Sequence, residues 1–458
     1  MSTNILIIGG GISGLAVLHY LKQKYVRLNY VTIALLEKSA QAGGTIGSIV
    51  RDGCLFETGP NGFLGSKPRT LDFIRELGLV SGLVKADESA GIRYVALQDT
   101  LHAFPTDPAR FLTFKPLSWR DKARVFAEPF IPKGNDPDES VYDFGVRRFG
   151  KKFADIFLDP MVSGIYGGDA RVTVLRAAFG RIYELEQQYG SLFKAMMKLG
   201  KGGIPKGTLT SFRRGQAQLT GTLARRYKED IRFNKEVKNI TRVSGRFAVA
   251  TAAARHEADE VFVCAPAYQA AAMVKEMSPI MARELEKIRY SSMAVIGLVF
   301  PRKAFVSPPK GFGYLIPSSE GREALGVLFE SNIFPGRCGK EEILLRIMAG
   351  GARHPEILKK SREELTALAV KEIQTLLKAN AQPVETFFAR WPEAIPQYDR
   401  AYVAAGRGVE EELKKWPGLH LVANYLHGVS LNDCIENAWQ AANGEQGVTR
   451  APFRGHPS

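Results

Sequence analysis

Three glycines, Gly9, Gly11 and Gly14, stand where the apolar run NILIIG at 4–9 gives way to GISGLAVLHYLKQK. In the latter, Leu15, Leu18 and Leu21 recur at helical spacing. A strand that turns through GxGxxG into a helix offers N–H groups and the positive end of a helix dipole to a pyrophosphate. Glycine omits the β-carbon that would hold the phosphates away. The next apolar run, VTIALLEKS, ends in Glu37, close to the ~20-residue separation expected of an acid that accepts from ribose hydroxyls. A carboxylate there disfavours a 2′-phosphate, so NADP is disfavoured and NAD and FAD remain.

Two strands and a helix must hold that turn, and the start of the chain therefore reads as a Rossmann-type βαβ unit. Residues 85–205 are helical in texture, rich in aromatic and basic side chains, with prolines around Pro105–Pro116 and Pro129–Pro137. Short β-like runs return between 208 and 267, notably IRFNKEVKNITRV and DEVFVCAPA. AVIGLVF, GYLIP, ALGVLF and EILLRIMAGG, with an amphipathic helix at REELTALAVKEIQTLL, read as a substrate-facing sheet domain at 290–389. The dinucleotide-binding domain is expected to be discontinuous, combining 1–84, 206–289 and 390–458, with 85–205 as a helical insertion.

Composition narrows the partners. Of 458 residues, 45% are hydrophobic and 24% charged, near the globular average, while 45 glycines are about one residue in ten against a norm of ~7%. The net charge of +15 suits an anionic surface or an acidic small molecule. Because the charge is dispersed and no reader motif occurs, nucleic acid is not expected. No run approaches the ~18 apolar residues of a membrane span, and the opening MSTNILIIGG has no basic leader. Cys54, Cys264, Cys338 and Cys434 show no CxxC or zinc-ligand spacing, and the seven histidines do not cluster. Reduced cysteines in a cytoplasmic protein without a structural metal are expected. His19 and His102 have no sequence partner and read as core or solvent-facing residues.

Gly43 and Gly44 follow Glu37 closely, and FETGPNGF occupies 56–63. An acid-ended second strand, a GG turn and a later glycine-rich loop resemble the flavin superfamily of amine oxidases, phytoene desaturases and protoporphyrinogen oxidases. The resemblance narrows to the protoporphyrinogen oxidase family through GIRYVAL (91–97), SVYDFGVRRFG (140–150), DPMVSGIYGGD (159–169) and EQQYGSL (186–192). GFGYLIP (311–317), MAGGAR (348–353) and ANYLHGVSLNDCIENA (423–438) follow in the family's order.

That resemblance implies FAD as cofactor. It places Gly9, Gly11, Gly14 and Glu37 on the dinucleotide, Gly43 and Gly44 near the ribityl-diphosphate, and Gly59, Pro60, Asn61 and Gly62 along the isoalloxazine. Val237 is implied at the adenine, Trp391 near the flavin, and Val429, Ser430 and Leu431 in a closing loop whose helix N-terminus faces the pyrimidine edge. For substrate it implies Arg93 against a propionate, a role that suits a guanidinium fork. Leu315, Leu328 and Met348 would flank a macrocycle, and Gly164 would leave room for it. No catalytic base is assigned, the chemistry being carried at flavin N5.

The fold class expected is α/β: a Rossmann-type FAD-binding domain, a mixed-sheet substrate domain and a helical, membrane-facing insertion. The implied activity is oxidation of protoporphyrinogen IX to protoporphyrin IX in haem biosynthesis, with coproporphyrinogen III oxidation as the alternative. More distant alternatives are another flavin amine or carotenoid oxidase and a non-catalytic protein resembling GDP-dissociation inhibitors. Expected partners are the porphyrinogen, molecular oxygen as acceptor, a second copy in a homodimer and, peripherally, the cytoplasmic face of a membrane. Membrane contact is expected of FLTFKPLSWRDKARVFAEPF at 111–130, where Ser118 and Asp121 make a capping-box-like start and basic residues interleave with Phe111, Phe114, Trp119 and Phe126.

Overall fold

The computed structural model describes residues 3–200 and 207–444; the parts of the expected dinucleotide domain at 1–2, 206 and 445–458 lie outside them. Strands Thr3–Ile8, Val31–Leu36, Ile231–Arg232, Glu260–Val263 and Leu419–Leu421 form one all-parallel sheet. Strand Thr3–Ile8 pairs with Val31–Leu36 on one side and Glu260–Val263 on the other. A parallel sheet buried on both faces needs near-continuous apolar strands, and NILII and VFV supply them. Ile5, Ile7, Leu35 and Phe262 pack with helices Ile12–Lys24 and Leu431–Ala442 on one face. Leu6, Ile8, Val261 and Val263 pack on the other with helices Ala267–Val274 and Pro279–Glu286.

The stretch 208–267 rejoins this sheet through two strands only. Between them Val237–Val243, Arg246–Thr251 and Arg255–Ala258 make a separate antiparallel meander, so IRFNKEVKNITRV is two strands in two sheets.

A second sheet has seven strands. Its order is Glu385–Pro396, Tyr290–Pro301, Glu342–Gly350, Ala324–Leu328, Gly313–Leu315, Arg93–Leu97 and Thr100–Ala103. Strands Arg93–Leu97 and Thr100–Ala103, expected in the helical insertion, belong here because Arg93–Val95 pairs in parallel with Gly313–Leu315. Strand Glu385–Pro396 likewise runs straight through the expected boundary at 389/390. One face of this sheet packs Ile343, Leu345, Ile347 and Ala349 against helix Arg362–Leu377. Side chains alternate across a strand, so Arg346 and Met348 point from the opposite face.

The insertion is a helical bundle from Pro108 to Leu199. At its centre Arg148, 0% exposed, donates from Nε to Glu186 at 2.6 Å and from Nη1 to Glu128 at 3.1 Å. It also reaches the carbonyls of Ile131 and Gly190 at 2.9 and 2.8 Å. Glu128 in turn accepts from the Leu192 and Phe193 N–H groups at the start of helix Leu192–Leu199. The capping box expected at Ser118 and Asp121 is present.

One cysteine expectation is corrected. Cys54 and Cys338 form a disulfide, with Cα atoms 4.2 Å apart. The pairing follows from the backbone: the Leu55 N–H donates to the Arg337 carbonyl at 2.7 Å and lays the two segments side by side. Cys264 and Cys434 are free. Among the described residues no helix is long and apolar enough to cross a membrane.

Candidate functional site

The three glycines of the first turn have three different physical reasons. At Gly9 the backbone is left-handed, with φ +104°, so the turn itself requires glycine. At Gly14 a β-carbon would meet the Gly9 carbonyl, so helix and strand approach there at a distance only glycine allows. At Gly11, the N-cap of helix Ile12–Lys24, a β-carbon would meet no protein atom within 4 Å. That helix has no side-chain cap and no acid in its first turn, which leaves its N–H groups and dipole for an anion.

Gly43 and Gly44 come to the same place. The Gly43 N–H donates to the Gly10 carbonyl at 2.8 Å, and a β-carbon on Gly44 would lie 3.2 Å from the Gly11 Cα. Glu37 ends the second strand, buried, accepting from the Gly10 and Ser39 N–H groups at 2.5 and 2.7 Å. Each carboxylate oxygen has a second lone pair for a ribose hydroxyl. The Lys235 N–H donates to the Glu37 carbonyl at 2.8 Å, which brings buried Val237 to the same end of the sheet as the acid.

Gly59 and Gly62 are glycine for internal reasons, since β-carbons there would strike the Thr45 and Thr210 carbonyls. Between them lie half-buried Pro60 and Asn61. Neither polar atom of the Asn61 amide, both of them buried, has a hydrogen-bond partner among the described residues. Trp391 donates from Nε1 to the Thr58 carbonyl at 2.7 Å, and Arg346 donates to the Gly59 carbonyl. The loop is thereby tied to the seven-stranded sheet.

Val429 and Ser430 precede helix Leu431–Ala442, with Ser430 as N-cap. Asp433 closes a capping box, accepting from Ser430 Oγ at 2.5 Å and from its N–H at 3.2 Å, so a carboxylate already sits at that terminus.

The residues expected to face substrate gather on one face of the seven-stranded sheet and the helix above it. Arg93, Gly313, Leu328, Arg346 and Gly297 are successive register partners across it. The next row on that face runs Val95, Leu315, Gly326, Met348, Val295 and Ala389. One row further on, Gly350, Met293 and Trp391 are partners. Helix Asp159–Tyr166 of the insertion covers this face, where a β-carbon on Gly164 would come within 2.5 Å of Leu315 Cδ2. Asp159 anchors it by accepting from the Ser318 N–H at 2.7 Å and pairing with Arg353 at 3.3 Å. Arg93 is exposed, its guanidinium 4.8 Å above the Phe312 ring. The face is thus largely apolar, carries Arg93 as the one exposed cation of those rows, and lies against the Gly59–Gly62 loop.

Sequence reasoning missed two buried ion pairs beside that loop. Arg337 pairs with Glu57 at 2.8 Å, and Arg346 stands 3.8 Å from Glu330. The unengaged polar atoms at Asn61 and Arg346, the open space before Gly11 and the acid at Glu37 fit a flavin dinucleotide.

A model of the family described as flavin containing amine oxidoreductase matches residues 12–444. The chain is 30% identical to protoporphyrinogen oxidase of Bos taurus, over 96% of this chain and 98% of that one. It is 29% identical to the chloroplastic protoporphyrinogen oxidase of Nicotiana tabacum, over 96% and 84%. Coproporphyrinogen III oxidase of Bacillus subtilis is 28% identical, over 96% and 97%. A crystal structure from Exiguobacterium sp. 255-15 shares the fold at TM-score 0.84 and 23% identity, covering 97% of this chain and 98% of that one.

Proposed function

The chain belongs to the flavin-containing amine oxidoreductase family and is an FAD-dependent oxidoreductase, and on that footing we propose that it oxidises protoporphyrinogen IX to protoporphyrin IX. The observation that carries the substrate is the shared face: Arg93, Leu315, Leu328 and Met348 on one sheet, with Gly164 above it. A flat, largely apolar macrocycle with few acidic groups needs a broad apolar slot and few polar anchors.

The glycine turns at Gly9–Gly14 and Gly43–Gly44 hold the pyrophosphate, Glu37 the ribose, and Val237 the adenine. Gly59, Pro60, Asn61, Gly62, Trp391 and the Val429–Leu431 segment surround the flavin ring. When bound, FAD supplies an acceptor at N5 for a hydride from a ring-bridging carbon of the substrate. Arg93 fixes a propionate by a charge-assisted fork. Leu315, Leu328 and Met348 offer the apolar surface that orients the macrocycle, with helix Asp159–Tyr166 closing the edge where Gly164 meets Leu315, and together they exclude water from the reacting carbon. Molecular oxygen completes the cycle as acceptor.

The chain works as a homodimer on the cytoplasmic face of a membrane. Exposed Trp119 (71%), Phe130 (86%), Phe126 and Leu112 beside Lys115 and Arg120 support contact with an anionic bilayer surface.

The 28% identity to a coproporphyrinogen III oxidase supports the alternative substrate, which carries more carboxylates. The sheet row offers one exposed guanidinium, Arg93, since Arg346 is buried, and that favours the less acidic porphyrinogen. Side-by-side turnover of the two porphyrinogens, with oxygen and with a quinone, tests this by porphyrin fluorescence. Faster turnover of protoporphyrinogen with oxygen is expected. Preference for coproporphyrinogen selects the alternative, and no fluorescence from either moves the chain to another flavin oxidase.

A further inference from the structure

Two buried ion pairs flank the Gly59–Gly62 loop, and they differ in kind. Glu57 and Arg337 are closed. Glu57 accepts from Arg337 at 2.8 Å, from the Gln216 N–H at 2.9 Å and from Ser48 Oγ at 2.5 Å, and Arg337 also donates to Ser211 Oγ at 2.6 Å. Arg346 and Glu330 are open. Their nearest approach, Nη1 to Oε1, is 3.8 Å, beyond hydrogen-bond reach. Arg346 Nε and Nη1 and Glu330 Oε1 are buried with no hydrogen-bond partner among the described residues, in residues only 6% and 4% exposed. The Arg346 guanidinium does donate to the Gly59 carbonyl, through Nη2.

Leaving guanidinium N–H groups and a carboxylate oxygen unengaged in the interior is costly, and the sheet gives no packing reason for a cation between Leu344 and Met348. Unsatisfied charge beside a ligand-facing loop reads instead as electrostatics aimed at the ligand. We propose that Arg346 and Glu330 form a charge couple that sets the electron affinity of the bound flavin, Arg346 favouring the negative charge that reduction adds and Glu330 offsetting Arg346 when ionised. This rests on the reading that Gly59–Gly62 lies along the flavin ring.

Hydride transfer brings the flavin two electrons and one proton and therefore leaves it one negative charge richer. Arg346 stays protonated at any ordinary pH. Glu330 is faced by Arg346 from strand Glu342–Gly350, Arg337 from the following loop, Glu57 from strand Cys54–Glu57 and the Asn61 side chain. Its burial outweighs the two arginines and raises its carboxyl above the usual range. As pH falls, Glu330 takes up its proton and the charge of Arg346 acts on the flavin unopposed.

The test is the midpoint potential of the FAD-loaded protein, read by dye equilibration from mildly acid to mildly alkaline pH, with visible absorption reporting flavin content. Arg346→Met should disfavour the reduced flavin by about tenfold, a potential about 30 mV lower, and Arg346→Lys should restore most of it. Glu330→Gln should raise the potential, by less as pH falls and the native carboxyl takes up its own proton. An unchanged potential in Arg346→Met with FAD bound overturns the proposal. So does a Glu330→Gln potential equal to or below the native one at every pH, which alone decides if Arg346→Met does not fold. A native protein that takes up no FAD sinks the flavin reading itself, a result distinct from either.

Discussion

Arg93 and Arg346 lie on one register row of the seven-stranded sheet, linked through Gly313 and Leu328. Three strand spacings of ~4.8 Å put their Cα atoms about 14 Å apart on the same face. The two cations are not equivalent. One is exposed at the rim and the other buried against Gly59, so the row runs from the proposed carboxylate anchor to the loop proposed to line the flavin.

Replacing the anchor should therefore affect substrate alone. Arg93→Ala is expected to lower kcat/KM for the porphyrinogen by about 10- to 100-fold, the value of a lost charge-assisted hydrogen bond. The loss should fall mainly on KM. Flavin absorbance and melting temperature should match the native protein.

Gly11 and Gly14 separate cofactor binding from folding. Gly11→Val fills space that no protein atom uses, so the apoprotein should fold with a native melting temperature and retain no FAD. Gly14→Val drives its side chain into the Gly9 backbone and should lower the stability of the apoprotein as well. Flavin content and apoprotein thermal melts, measured together, distinguish the two.

The insertion depends on Arg148. Arg148→Met leaves buried Glu128 without an arginine and Glu186 with Arg147 alone, and should destabilise the protein by about 3–5 kcal/mol. Limited proteolysis should then cut first between Pro108 and Leu199.

His19 gives stability an acid limb. It is buried in helix Ile12–Lys24, with Nδ1 2.8 Å from the Tyr227 hydroxyl and Nε2 2.9 Å from Glu76. Burial outweighs the Glu76 carboxylate and lowers its pKa from the ordinary 6.5. The unfolded chain therefore binds this proton more readily than the folded one, and the stability present above about pH 6.5 is lost as pH falls below it. Denaturant titrations at a series of pH values should show that loss, and His19→Gln should flatten it.

What the sequence made legible was local. The glycine turn, Glu37 and the capping box at Ser118 depend on neighbours a few residues apart, and each is where its spacing predicts. Arg346 and Glu330 had no such signal, because they meet only through sheet register and a distant loop. Cys54 and Cys338, separated by 284 positions, carry no motif for the same reason. Strands Arg93–Leu97 and Thr100–Ala103 are short and followed by helices, so their texture hid a partner strand about two hundred residues onward. Gly164 and Leu315 were picked separately and prove to touch.

The most direct test of the central claim is an anaerobic single turnover. FAD-loaded protein mixed with protoporphyrinogen in the absence of any acceptor should lose its oxidised-flavin absorbance as porphyrinogen is consumed. Admitting oxygen should restore the absorbance and release porphyrin fluorescence. Flavin that stays oxidised under saturating porphyrinogen would contradict the account.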